Sequence, residues 1–173
     1  FSIDPVFQWL ESSIQVSKIS EIIVPLGISY YTLQGIGYLI NVKMGWEKPE
    51  KNFMDFLVYI TFFPKFLSGP IERSNHFLPQ LKTSKQFDEN LVSAGLRLVL
   101  VGFFKKVAIA NQLAPYVFDT FTNLNSTGSF SLLVIFLLLP IYLYFDFSGY
   151  TDIAIGSARA FGIELLPNFN RPF

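Results

Sequence analysis

Asp146, Ser148, Tyr150, Thr151 and Asp152 crowd into one short stretch, immediately after an apolar run from Phe130 to Phe145. Two carboxylates and several hydroxyls could bind a substrate, orient a catalytic base or coordinate an ion, and an unpaired acid beside so much apolar surface would be costly. Two roles are open for Asp146 and Asp152. Either they line a polar passage, or they cap a helix and pair with Arg97, Arg159 or Lys65 for structural reasons. His76 is the one histidine and the residue type best suited to general base chemistry near neutral pH. It follows Ser68-Gly69-Pro70 and sits among Glu72, Arg73, Ser74 and Asn75, which predicts a solvated loop. The sequence holds no cysteine, no Gly-x-Ser-x-Gly elbow and no phosphate loop, so hydrolase, zinc-enzyme and nucleotidase readings have no motif beneath them. No metal site and no bound cofactor are expected.

The elements that must carry these residues are set by an unusual composition. Of 173 residues, 51% are hydrophobic and 17% aromatic, and only 15% are charged. That balance, with a mean hydropathy of +0.41, points to lipid as the solvent and argues against disorder. Thirteen Lys and Arg offset thirteen Asp and Glu, leaving no basic surplus for a phosphate backbone, so nucleic acid is not an expected partner.

Uncharged runs locate the spans. One lies between Glu21 and Lys43 and another between Asp119 and Asp146. The first contains Pro25, a residue suited to a first helical turn, and predicts a span over 25–42, roughly 27 Å long. The second opens with the turn-forming cluster around Asn123, Asn125 and Gly128, and predicts a span over 129–145 with Pro140 inside it.

Interrupted helices are expected over 53–69, 86–111 and 150–162. The first is broken by Pro64 and Lys65 and could be re-entrant. The second follows a capping box from Thr83 to Gln86 and carries Arg97. Asp146, Ser148 and Gly149 favour caps and turns, which predicts a break there and a new helix from Tyr150. On that helix Asp152, Gly156 and Ala160 share a face at i, i+4 spacing, as do Ala154, Ala158 and Gly162, so neighbouring helices can approach closely. The loops 43–51 and 72–89 would face opposite sides if one segment between them crosses, and their similar Lys and Arg counts leave orientation open. The fold expected is all-α, with polytopic membrane helices and broken or re-entrant segments. Such breaks beside carboxylates also suit a transporter or channel.

The chain opens at Phe1 without a signal-like start and closes on a loop-like segment, which reads as a fragment, 1–173, of one membrane-embedded domain. The segment Phe62 to Arg73, Phe-Phe-Pro-Lys-Phe-Leu-Ser-Gly-Pro-Ile-Glu-Arg, followed by Phe77-Leu78-Pro79-Gln80-Leu81, resembles a hallmark of the membrane-bound O-acyltransferases. So do the run from Leu143 to Gly156, with its Asp146-Phe147-Ser148-Gly149-Tyr150-Thr151-Asp152 centre, and the closing Asn168-Phe169-Asn170-Arg171-Pro172-Phe173. Val24 to Gln34 is similar to the corresponding helix of the bacterial branch that contains alginate O-acetyltransferase and the D-alanyl transfer protein of teichoic acid modification. The matches run in order over nearly the whole chain.

The resemblance implies a partial fold of that family and a multi-pass enzyme of the bacterial inner membrane. Its donor would be an acyl-CoA or acyl-carrier thioester and its acceptor the hydroxyls of an exported polysaccharide. An acyl carrier or an extracytoplasmic acetylation protein would be its partner, with membrane lipid around it. By motif position, Asp146, Ser148, Tyr150 and Asp152 would border the reaction chamber, and Gly69, Pro70 and Arg73 would shape a loop near it. The family's proposed base is a histidine beyond Phe173, and His76 does not match it. No catalytic residue is therefore expected within the chain, and the fragment alone should be inactive.

Overall fold

The computed structural model describes residues 27–66, 69–123 and 127–168. The expected helix start at Pro25, and Leu67, Ser68 and 169–173 of the matching motifs, lie outside the described residues. Six α-helices form, with no strand among the described residues.

The first helix, α1, covers Ile28–Lys43. Uncharged until Lys43, it exposes Leu33, Ile36, Leu39 and Ile40, while Gln34 and Tyr38 turn inward. A short loop leads to α2, Phe53–Thr61, where the Asn52 side chain accepts the Met54 N–H and caps the first turn. Pro64 then helps convert the chain to a single 3-10 turn, Phe63–Lys65. The chain returns to α3, Ser74–Leu81, beside the point it left. Lys82 pairs with Glu50 at 2.6 Å, and the Ser74 hydroxyl donates to Glu47. Loops 43–51 and 72–89 are therefore neighbours on one side. The condition for their facing opposite sides, a single crossing between them, is not met, because nine residues of α2 and one tight turn take the chain out and back.

The second half is a long helical hairpin. Its first arm begins at α4, Glu89–Phe103. The cap is Asp88, which accepts from Asn90 and Leu91 N–H, and not the expected Thr83–Gln86 box: Thr83 donates instead to the Gln80 carbonyl at the end of α3. The arm continues without a break through a π-helical segment, Phe104–Ala110, into α5, Asn111–Thr122. The second arm is α6, Ser129–Ala160, roughly 48 Å long at 1.5 Å per residue. The break expected at Asp146–Gly149 is absent. Turn-forming residues stay helical here because tertiary packing outweighs propensity. A Cβ on Gly102 would lie 2.5 Å from the Gly149 carbonyl oxygen, and one on Gly95 the same distance from that of Gly156. The two arms thus touch backbone to backbone, which only these small residues allow.

Burial divides α6 in two. Its N-terminal half keeps Phe130, Leu133, Phe136 and Leu137 exposed, whereas Ser148, Gly149, Thr151, Ala154, Ile155 and Ala158 are buried. Beyond α6 the chain turns at Gly162, and Ile163 and Leu165 join a core with Tyr38, Tyr59, Phe62, Phe77 and Leu78. Gln80 fixes that tail by donating to the Glu164 carbonyl and accepting its N–H.

Candidate functional site

Two charged crossings hold the middle of the hairpin. Lys105 Nζ lies 2.6 Å from Asp152 Oδ2, and Lys106 pairs with Asp146. Adjacent lysines both reach α6 because an i→i+5 turn packs more residues into each revolution, narrowing the angle between neighbours. The partners expected for the aspartates, Arg97, Arg159 or Lys65, are corrected to Lys106 and Lys105. Between the pairs, Ser148 and Thr151 are buried, and their hydroxyls have no hydrogen-bond partner among the described residues. Tyr150 lies on the same helix, half-buried.

The 69–76 segment builds a second polar cluster against α1 and α2. Gly69 is forced: a Cβ there would meet Lys65 Cα at 2.3 Å. Pro70 is fully buried beside it. Glu72, only 1% exposed, accepts the Leu166 N–H at 2.9 Å through one oxygen and meets His76 Nδ1 at 2.6 Å through the other. The solvated-loop expectation for His76 is corrected: it sits in the first turns of α3, held by a buried carboxylate that no sequence pattern announced beyond the Glu72–His76 spacing of four. The Tyr59 hydroxyl donates to the Glu72 carbonyl, and the Gln34 amide donates to the Tyr59 carbonyl.

Lys65 completes this cluster, 3% exposed. Its ammonium lies 4.5 Å from the Tyr59 ring centre and 4.3 Å from that of Phe77. The two ring faces favour the charged form by about 0.5–2 kcal/mol each, but they replace a full hydration shell. Desolvation prevails, pushing the amine down to about 7, with the Glu72 carboxylate opposing the shift.

The loop and α6 meet at one place. Gly69, Ile71, Tyr30 and Phe147 line a cavity of about 330 Å³. Arg73 instead faces a larger cavity, about 440 Å³, bounded by α1, Trp46 and the start of α3. The structure therefore brings Gly69 toward the α6 face next to Asp146, and directs Arg73 elsewhere.

Residues 50–173 match the membrane-bound O-acyltransferase family. The chain belongs to that family. It is 35% identical over 159 residues to a protein of Azotobacter vinelandii named "Probable alginate O-acetylase AlgI", covering 90% of this chain and 31% of that one. A "Peptidoglycan O-acetyltransferase" of Helicobacter pylori is 32% identical, over 88% of this chain and 34% of its own length. A "Teichoic acid D-alanyltransferase" of Bacillus subtilis is 31% identical, over 86% and 38% respectively. The chain spans about a third of the length of these relatives. As a member of a membrane-bound family, it is membrane-embedded, and α6 is the helix among the described residues that is long and apolar enough to cross a bilayer.

Proposed function

We propose that this O-acyltransferase chain is part of a multi-pass enzyme of the bacterial inner membrane that moves an acyl group, acetyl in the first instance, from a thioester to hydroxyls of an exported polysaccharide. The observation that carries the reading is the family match over residues 50–173, which takes in the 3-10 turn, the hairpin and both charged pairs. The names of the three relatives share one chemistry, acyl transfer to a polymer, whether alginate, peptidoglycan or teichoic acid. The donor is an acyl-CoA or an acylated carrier protein.

Within that reaction these residues act by position. The Lys105–Asp152 and Lys106–Asp146 pairs neutralise four charges in the hairpin, so the helices bordering the chamber keep their spacing in a low dielectric. Ser148, between them, offers a buried hydroxyl, and Gly69 and Pro70 shape the turn that faces Phe147. A base deprotonates the acceptor hydroxyl and donors stabilise the tetrahedral oxyanion. His76, held through Nδ1 by Glu72, is not at the motif position of the family's base and is given neither role.

Orientation follows from the basic residues. Lys43, Lys48, Lys51, Arg73, Lys82, Lys85 and Arg159 gather at one end of the hairpin, since Glu50 pairs with Lys82 and Gly162 abuts Lys85. No Lys or Arg occurs from Val107 to Ala158, so the opposite end of the hairpin carries none among the described residues. The positive-inside rule assigns the basic end to the cytoplasm.

The test uses the full-length protein in vesicles supplied with an acetyl thioester and a polysaccharide. Release of free thiol together with acetyl ester on the polymer is the expected result. A solute flux without thiol release would favour transport instead, although the helix break that suited a transporter is absent from α6.

A further inference from the structure

We infer that Glu72 and Gln80 are positioning residues for acyl transfer, which hold the segment leaving α6 so that Asn168 stands beside Gly69 and Phe147 as a hydrogen-bonding group for the reaction. The inference rests on the acyl-transfer reading above. After Gly162 the chain runs from Ile163 to Leu166 as neither helix nor strand, so its backbone groups have no ladder to join. Side chains of the 72–80 segment take that place. The Gln80 amide donates to the Glu164 carbonyl at 2.9 Å, and its oxygen accepts the Glu164 N–H at 2.8 Å, as a neighbouring strand would. Two residues on, the Leu166 N–H donates to Glu72 Oε2 at 2.9 Å. Glu72 is itself fixed, being 1% exposed and held by His76 Nδ1 through Oε1.

Register is fixed from the other face as well. Ile163 and Leu165 alternate with the two bonded residues and are buried in the core, so a slip of one residue would expose both and break all three bonds. That placement is carried forward only a short way. Pro167 locks its own φ and holds Leu166 extended, and Asn168 follows directly. Asn168 lines the cavity of about 330 Å³ that also contains Gly69, Ile71 and Phe147, where the turn meets α6 next to Asp146. Its carboxamide supplies a donor and an acceptor that both stay uncharged. A surface tail needs no three-point registration. A group that must meet a reacting atom does, since a misplacement of about 1 Å can cost roughly a hundredfold in rate.

The test uses the full-length protein with an acetyl thioester and a polysaccharide acceptor. Gln80→Leu and Asn168→Ala should each lower kcat about tenfold to a hundredfold and leave KM for the thioester within about twofold. Because the clamp acts through Asn168, the double variant should be no slower than Asn168→Ala alone, a lack of additivity that general loosening of the fold would not produce. Glu72→Gln, which keeps an oxygen for the Leu166 N–H, should retain most of the activity that Glu72→Ala loses. Gln80→Glu, which keeps the acceptor for the Glu164 N–H and loses the donor, takes the place of Gln80→Leu should that variant fail to fold. Placement is read separately from activity, by joining Ile71→Cys to Asn168→Cys with a short bis-maleimide in protein otherwise free of reactive thiols. Removing the clamp should slow that cross-link. Full kcat in Gln80→Leu or Asn168→Ala, or losses that add in the double variant, overturns the inference and leaves acyl transfer standing. A cross-link of unchanged rate without the clamp overturns it equally. Clamp-dependent cross-linking in a protein that transfers no acyl group would sustain the placement of Asn168 and remove the proposed reaction.

Discussion

At the scale of single residues, the clearest consequences concern charges held away from water. Asp152→Leu strands the part-buried Lys105 without its carboxylate, and leaving that charge unpaired costs more than the net worth of the pair. The full-length protein carrying Asp152→Leu or Lys105→Met alone should melt several degrees lower in detergent, and combining the two should recover most of the loss. Additive losses in the double variant would mean that the two side chains act independently. Lys65 gives a pH dependence. Its folded value, about 7, lies below the ordinary 10.5, so between those limits the unfolded chain binds a proton that the native chain does not. Stability should therefore rise as pH climbs from about 7 toward 10.5. Lys65→Met should flatten that rise in equilibrium melts taken across the window, and a slope that persists would assign it to another group.

The helices show where sequence reasoning succeeds and where it cannot. Helices over the two uncharged runs, the interruption at Pro64 and the all-helical class were legible, because the absence of charge and the presence of proline act locally. The Asp146–Gly149 break was misread for a physical reason: caps and turns are local preferences, whereas Gly149 sits against Gly102 in a helix that precedes it by dozens of residues. Partners of Asp146 and Asp152 were equally out of reach. Pairing with Lys106 and Lys105 depends on the widened turn at Phe104–Ala110, which has no sequence signature. His76 was misplaced because its anchor, Glu72, is buried by the returning tail at Leu166. The hairpin contact is itself testable. Gly102→Val should push the arms apart and sharply reduce folded, membrane-inserted protein, as judged by detergent extraction and size-exclusion profile. Gly35→Ala, where nothing lies within 4 Å, should be tolerated and add about 0.5–1 kcal/mol to helix stability. Equal behaviour of the two variants would mean that the backbone contact does not hold the arms.

For the molecule as a whole, the one-sided distribution of Lys and Arg makes a prediction about sidedness. In intact cells a membrane-impermeant maleimide should label Thr127→Cys and spare Lys51→Cys, and the pattern should invert in inside-out vesicles. The reverse pattern in cells would turn the hairpin over. The charge crossings also bear on biogenesis. Lys105 and Lys106 leave the ribosome about forty residues ahead of the aspartates that neutralise them, so the first arm emerges as a poor candidate for solitary partitioning into lipid. On the proposed multi-pass arrangement, insertion of this hairpin is a two-arm event, in which the translocon shelters the leading helix until Asp146 and Asp152 have been synthesised and can accompany it into the bilayer.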